Sequence, residues 1–566
     1  MAHVPLFPIG RGLPLAARPA DAAIHERETL LERLHNEARA GGGTRGEQRV
    51  SKRGQWTARE RVARLLDPGS ASFEVGLLRG FDARFEGKAA PGLGVVTLIG
   101  RIEQRLCVVI ANDNTLASGA WWPGTPEKIQ RAQSVALSLG LPVVYAVDCS
   151  GLFLPEQSRT FSGEHGAGAI FRYNSLLAAR GVAQIAGVYG DCIAGGGYMP
   201  IISDRVLMTE SAYMVIAGTA LIKGAKGAAL SAVDIGGPEV HVQRSGCADA
   251  RFPDDEALTA ALRLEVRRLP TSATGYFADA VGPVAPAFPV EELLQVIPAD
   301  YRSPYNAEDV LARLVDASLF WEVMPHTGEE VMVGVGKLAG LYCGFIANRQ
   351  GMLKGADGRL SRPGGVLYES GIAKLSLFRR ACADDGLPLI WLQDISGFDI
   401  GPEAEEKGLL GLGSNLIYGN STLTEPVCTV LLRKASGAGY YAMHGLPYAP
   451  TLQLGTVLSR QAVMEGRTLA LARYRPHLDD KFQVRGESAE IRQEVESGMR
   501  AIEERIERDM HFSAMASRGD CDAVVRLAEL RAWLTMFAEA SYQSTGFRRH
   551  KNARIWSLHE LTRLGL

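Results

Sequence analysis

The sequence predicts an α/β fold built as two tandem copies of one domain, and three observations predict it. Short β-rich runs alternate with helical patterns through most of the 566 residues, as layered α/β proteins require. Three blocks recur in the same order. "LPVVYAVDCSG" (Leu141–Gly151) returns 246 residues later as "LPLIWLQDISG" (Leu387–Gly397). "CVVIANDN" (Cys107–Asn114) returns 236 later as "CGFIANRQ" (Cys343–Gln350), and "AGGGYMP" (Ala194–Pro200) about 242 later as "SGAGYYA" (Ser436–Ala442). Five prolines in the 24 residues Val281–Pro304 then mark a boundary near mid-chain. Any two α/β domains share strand-turn patterns, but three collinear echoes point to an internal duplication.

Taken in order, residues 22–40, "AAIHERETLLERLHNEARA", place Ile24, Leu30, Leu31 and Leu34 on one helical face. This predicts a helix within an N-terminal helical extension over 1–50. The "GGGTRGEQ" that follows reads as a flexible joint rather than a phosphate cradle. Residues 51–285 form the first domain, 286–304 a Pro-rich linker, and 305–566 the second domain with a helical tail. A chain of this length is too long for one core, which agrees with the division.

Composition narrows the function classes. A net charge of −2 gives no electrostatic footprint for nucleic acid or an anionic membrane. The eight cysteines have no CxxC or zinc-ligand spacing and read as buried free thiols of a reducing cytoplasm. The N-terminus lacks an apolar run of signal-peptide length. The charge-free window Ala435–Ser459 contains His444, Gln453, Pro447 and Pro450, which argues against a lipid-facing helix. A cytoplasmic protein is expected. The eleven histidines include no HxxxH or HExxH, so no metal is expected. His165 and His241 stand alone and read as structural. "GTALIKGAKG" (Gly218–Gly227) lacks the GxxxxGK[ST] spacing of an ATP loop.

The chemistry is expected in the glycines. In each half an apolar run ends in Ser-Gly, at Ser150-Gly151 and Ser396-Gly397, as a buried parallel strand opening into a turn would. Farther on, each half has a second Gly-rich block after a β-like run, "QIAGVYG" or "CTVLLRK", where a helix begins with unpaired N–H groups. Two such turns converging on one oxygen form an oxyanion hole. A duplicated domain supplies two.

Longer strings add a resemblance. "KRGQWTARERVARLLDPGSASFEVG" (Lys52–Gly76), "ANDNTLASGAWWPGTPEKIQRAQ" (Ala111–Gln133), "VDIGGPEVHVQRSG" (Val233–Gly246) and "YNAEDVLARLVDASLFWEV" (Tyr305–Val323) resemble the acyl-CoA carboxyltransferases of biotin-dependent enzymes. The likeness spans roughly residues 50 to 545. "WLQDISGFDIGPEAEEKGLLGLGSNLIYG" (Trp391–Gly419) looks most like glutaconyl-CoA decarboxylase α subunits, and "GGPEVHVQRSG" like methylcrotonyl-CoA carboxylase β subunits.

The resemblance implies two crotonase-like (ClpP/crotonase) domains and a carboxyl group moved between biotin and an acyl-CoA, one with an unsaturated or branched chain. It places the acyl-CoA oxyanion hole at Gly151 and Leu152 with Gly196 and Gly197. The biotin-side hole falls at Gly397 and Phe398 with Gly437 and Ala438. The two holes would hold the thioester enolate and the ureido oxygen, and biotin itself would take the proton without an enzymic base. Many relatives carry Ser-Gly-Gly where this chain has Ser150-Gly151-Leu152, and Arg467 stands where they carry an uncharged residue or Glu. Lys128 and Arg131, three apart on a predicted helix, either meet the CoA phosphates or form a solvated face. Lys223 falls where relatives have a lysine near the CoA. No Met-Lys-Met biotin-acceptor tripeptide occurs, so biotin is expected on another polypeptide. That partner would be a biotin carboxylase or carrier subunit, or the membrane subunits of a decarboxylase, with this chain in a homodimer or hexamer. The other readings are the decarboxylase direction, an enoyl-CoA hydratase or hydrolase, and a non-catalytic CoA-binding subunit.

Overall fold

A computed structural model describes residues 6–14, 19–216, 231–269, 283–354, 359–485 and 488–543. The chain divides into two compact units. One comprises Glu32–Gly275 with the stretch from Ala540; the other comprises Tyr276–Glu539 with the stretch up to Leu31.

The first unit is built on an eight-stranded sheet. Its strands are β1 (Ser72–Glu74), β2 (Val95–Ile102), β3 (Arg105–Asn112), β4 (Val143–Cys149), β5 (Gln184–Ile193), β6 (Arg205–Thr209), β7 (Tyr213–Val215) and β8 (Ala250–Phe252). The order is β8-β6-β5-β4-β3-β2-β1, with β7 also paired to β5. β1, β2 and β3 pair antiparallel, and every other pairing is parallel. All seven residues of β4 are buried, as expected of a parallel strand covered on both faces. Helices α1 (Thr125–Leu139) and α2 (Ala167–Arg180) follow β3 and β4.

The second unit repeats this order in a nine-stranded sheet. β9 (Leu319–Val323), β10 (Val331–Leu338), β11 (Leu341–Asn348), β12 (Leu389–Ile395), β13 (Val427–Ser436), β14 (Leu452–Thr456) and β16 (Ala523–Val525) lie side by side, with β15 (Arg460–Ala462) also on β13. The two-residue strand Phe7–Pro8 adds to β9. Helices α3 (Glu369–Asp384) and α4 (Leu409–Ser421) stand where α1 and α2 stand in the first unit.

The likeness extends to individual hydrogen bonds. The β2–β3 hairpin turns at Glu103 and Gln104, both at positive φ, and the Asp67 carboxylate accepts both of their N–H groups. The β10–β11 hairpin turns at Ala339 and Gly340, also at positive φ, and the Asp316 carboxylate accepts both N–H groups there. The register of β4 on β5 shifts between Val147 and Cys149, and that of β12 on β13 between Gln393 and Ile395, 246 residues on.

The first helix spans Ala22–Arg39, with Ile24, Leu31 and Leu34 buried and Leu30 half-buried. The triple glycine after it is a packed turn: a second helix, Gly43–Ser51, follows, and Gly42 donates its N–H to Thr115 Oγ1 at 2.9 Å. Within the Pro-rich segment Leu293, which opens the short helix Leu293–Val296, and Ile297, which follows it, are buried. The charge-free window Ala435–Ser459 holds the end of β13, helix α5 (Gly437–Ala442) and β14. Among the described residues no helix is long and apolar enough to cross a membrane.

Candidate functional site

In the first unit, β4 runs out into Ser150, Gly151 and Leu152. Gly151 sits at φ +97°, a region that favours glycine. The turn is fixed from one side: Ser150 donates its N–H to Ser118 O at 3.1 Å and its hydroxyl to Ala117 O at 3.0 Å. Trp121 N–H donates to Gly151 O at 2.9 Å, and Phe153 N–H to Trp121 O at 2.8 Å. The Gly151 N–H faces the Cys149 thiol, 3.4 Å from Sγ. No described group accepts from the Leu152 N–H. Leu152, where relatives were expected to carry glycine, therefore contributes the free amide of this turn.

The second block continues from β5 as a 3₁₀ turn, Ala194–Gly197, running into the short helix Tyr198–Ile201. Gly196 lies against Cys149: a β-carbon there would stand 3.2 Å from Sγ. A β-carbon at Gly197 would meet nothing within 4 Å. Gly151, with Leu152 after it, and Gly196, with Gly197 after it, thus meet at the end of β4 with Cys149 between the two turns. Burial pushes the Cys149 thiol up to about 12, so the group is an inert filler.

The second unit has the same construction. Gly397–Phe398 forms a short parallel pair with Val366–Leu367; Ser396 N–H donates to Gly365 O at 2.7 Å and Asp399 N–H to Leu367 O at 2.9 Å. α5 opens at Gly437, φ +53°. Its third residue makes the closest approach: a β-carbon at Gly439 would lie 3.0 Å from Gly397 Cα and 3.1 Å from Gly397 N. Gly397, Phe398, Gly437 and Ala438 are brought together here, and Gly439 joins them. The sequence signal for Gly439 was its place opposite Gly197 in the repeated block.

Behind each turn stands an aspartate from the repeated string, at the register shift. Asp148 is buried, and the Arg61 guanidinium reaches it at 2.8 Å while also reaching Asp255 at 2.8 Å. Asp394 is buried against Arg433 at 2.8 Å, and Arg433 also donates to the carbonyls of Asp300 and Ser303. Each aspartate accepts the N–H of the residue near the end of the next strand, Asp191 at 3.2 Å and Lys434 at 3.0 Å. Each receives its own backbone anchor from the echoed asparagine: Asp394 N–H donates to Asn348 Oδ1 at 3.0 Å, and Asp148 N–H points to Asn112 Oδ1 at 3.5 Å. These groups tie the end of one strand to the next and so fix the separation of the two turns.

The residues so held differ in charge. Burial, with the charge of Asp148, raises the Asp191 carboxyl above its usual range, and Arg53 lies 3.8 Å from it. Lys434 donates to Ser396 Oγ at 2.7 Å, and burial lowers its ammonium below the usual lysine value. Neither residue was singled out from sequence. Each is a lone charge at a strand end, a pattern too common to read.

Lys128 requires a correction. Its ammonium is buried and donates to Gly92 O at 2.9 Å and Val95 O at 2.8 Å, so it does not reach a CoA phosphate. Lys374, 246 residues on, does the same with Val331 O at 2.8 Å. Arg131 is half-buried beside Ser134 on α1. Lys223 lies outside the described residues. His241 is held by Met214 O at 2.7 Å and Ser245 Oγ at 2.9 Å, a structural role. Seven of the eight cysteines are buried and all are free. No cluster of His, Cys, Asp or Glu among the described residues is placed to hold a metal ion.

Comparison with known proteins adds the family. The carboxyl transferase domain matches residues 49–555. The chain is 35% identical to the biotin-dependent 3-methylcrotonyl-coenzyme A carboxylase β1 subunit of Mycobacterium tuberculosis, over 81% of this chain and 83% of that one. It is 31% identical to the glutaconyl-CoA decarboxylase subunit α of Acidaminococcus fermentans over 94% of each. Among solved structures, the β subunit of geranyl-CoA carboxylase from P. aeruginosa superposes with a TM-score of 0.80 at 25% identity, covering 97% of this chain and all of that one. With paired glycine turns in each unit and a family match over nearly its whole length, this chain belongs to the carboxyl transferase domain family.

Proposed function

We propose that this chain moves a carboxyl group between biotin carried on a separate polypeptide and the enolisable carbon of an acyl-CoA. It is the carboxyltransferase of a biotin-dependent acyl-CoA carboxylase. The observation that carries this reading is the pairing of two glycine-rich turns at the end of one buried strand in each unit, with Lys434 beside the second pair. Identical strand order and matching buried bonds support an origin by internal duplication, each half being a crotonase-like domain with 286–304 between them.

Negative charge builds on the thioester oxygen as the α- or vinylogous proton leaves. In the first unit the free Leu152 N–H, with the amides of Gly196 and Gly197, is the donor set for that oxygen, and Gly151, its own N–H turned to the Cys149 thiol, shapes the turn. Fixed amides in a buried turn need no reorganisation as charge develops, which is where such donors contribute most. Asp148 is locked to Arg61 and Asp191 lies 3.8 Å from Arg53, which argues against the pair of free carboxylates expected of a hydratase.

Biotin, when bound, supplies the carboxyl group for transfer. The second turn fits its ureido group: a β-carbon at Gly397 would meet nothing within 4 Å, leaving room above the turn. The amides of Gly397, Phe398, Gly437 and Ala438 face charge on the ureido oxygen there, and Lys434 adds a positive charge held in place by Ser396. The relatives named above act on enoyl thioesters, which supports an unsaturated or branched acyl chain. Direction depends on the partner, a biotin carboxylase for carboxylation or membrane subunits for decarboxylation. Further copies of this chain complete the proposed assembly.

The test is purification with native partners, followed by ATP, labelled bicarbonate and a panel of acyl-CoAs. Acid-stable label is expected in branched or unsaturated thioesters. Turnover of saturated thioesters alone would contradict the acyl preference, and no transfer to any thioester would favour a non-catalytic subunit.

A further inference from the structure

The duplication leaves one buried site chemically unequal in the two units. In the first unit Tyr145 of β4 sits among neutral partners: Gln133 of α1 donates to its hydroxyl at 3.1 Å and Asn174 of α2 at 2.9 Å. The hydroxyl donates to Gln184 Oε1 at 3.1 Å, and Gln184 closes the cluster by donating to Asn174 O at 2.9 Å. What remains unpaired is two neutral carbonyl oxygens, Gln133 Oε1 and Asn174 Oδ1.

Moving 246 residues along replaces Gln133 by Arg379, Tyr145 by Trp391 and retains Asn174 as Asn420. Gln184, which opens β5 opposite Val143, is replaced by Val427, which opens β13 opposite Leu389. The acceptor is therefore lost at the position where a cation is gained. Arg379 is 9% exposed, Trp391 0%, and Asn420 and His444 2% each. Arg379 Nε and Nη1, Trp391 Nε1 and His444 Nδ1 are all buried without a partner, and among the described residues no carboxylate pairs with Arg379. The indole of Trp391 and the imidazole of His444 lie with ring centroids 5.8 Å apart. The Arg379 guanidinium packs on Gly419, next to Asn420, with Nε and Nη1 on its buried side. Asn420 Oδ1 is an unpaired acceptor, its amide fixed by donation to Ala442 O at 2.9 Å. Two residues along the same face of β12, the buried Gln393 leaves both its Oε1 and its Nε2 unpaired, so donors still outnumber acceptors.

We propose that a small monovalent anion binds at Arg379, where α3 meets α4 and β12, held by the guanidinium and helped by the Trp391 N–H. Burial and the charge of Arg379 hold His444 down at about 3, so the imidazole is neutral and the guanidinium is the charge to be balanced. Ordered water satisfies the donors but leaves a largely buried guanidinium without a counter-charge, the costlier arrangement. The first unit, with neutral residues at the same place, needs no such ion.

Bromide is the probe. Thermal unfolding of the full chain is followed as sodium bromide replaces sodium gluconate at constant ionic strength. The wild-type midpoint is expected to rise about 3 °C for each tenfold increase in bromide once the site fills. Arg379→Gln is expected to abolish that rise. If this variant fails to fold, Arg379→Gln with Val427→Gln, which restores both glutamines of the first unit, serves instead. Anomalous diffraction from bromide-soaked wild-type crystals is expected to show a peak beside Arg379 Nε or Nη1. An equal bromide response in wild type and variant, or density for water alone at Arg379, would overturn the assignment.

Discussion

Gly197 and Gly439 hold equivalent places in the repeated block but have different surroundings, and they give a matched test at residue scale. A methyl at Gly439 meets Ile395 at 2.7 Å and the Gly397 backbone at about 3 Å, so the second turn must shift; a methyl at Gly197 enters open space. Gly439→Ala is expected to lower kcat on the order of 10²-fold, the usual effect of losing one oxyanion donor. Gly197→Ala should fold with unchanged stability and raise KM for the acyl-CoA. Steady-state kinetics beside thermal melts separate the two. Lys434→Met is expected to cost roughly 10²-fold in kcat while leaving acyl-CoA binding intact. Because burial lowers the Lys434 ammonium, the wild-type rate should fall on the alkaline side earlier than an ordinary lysine would dictate, and the variant should lose that limb. The glycines were legible because glycine takes positive φ at least cost and alone permits so close an approach. Lys128 was misread because a charge on a helical face looks solvated until the carbonyls of Gly92 and Val95 are seen beneath it. Its ammonium titrates at about 8 in the folded chain against 10.5 ordinarily. The unfolded chain then holds more protons between these values, so Lys128 makes stability rise as pH climbs from about 8 to 10.5. Denaturant titrations of wild type and Lys128→Met across that window should differ by this slope.

At the scale of elements, the aspartates of the repeated string show what pattern alone conveys. The strings marked two buried strands ending in turns, and both strands form as read. What the strings do not convey is that Asp148 and Asp394 sit at register shifts, with buried arginines drawn from distant segments: Arg61 lies 87 positions away from Asp148. Such a pairing is tertiary and leaves no local trace. Asp394→Asn would leave Arg433 buried without its counter-charge and is expected to cost about 3–5 kcal/mol, measured by equilibrium denaturation. It should also slow transfer, because the Lys434 N–H loses the carboxylate that fixes the second turn.

For the molecule as a whole, the echoes revealed a symmetry of construction, and the structure reveals how far it reaches: hairpins capped by Asp67 and Asp316, lysines plugged beneath Val95 and Val331, and Asn112 and Asn348 bracing Asp148 and Asp394. The likeness fails at Asp191 against Lys434 and at Gln133 against Arg379, and at both places the two units differ in charge. On the proposed reading the first pair of turns serves the thioester and the second serves biotin. The direct measurement is release of labelled CO₂ from a carboxybiotin carrier without acyl-CoA, compared with full transfer to acyl-CoA. Gly439→Ala and Lys434→Met are predicted to impair both reactions, whereas Gly197→Ala impairs transfer alone. Loss of CO₂ release in Gly197→Ala, with release unchanged in the two second-unit variants, would contradict the assignment.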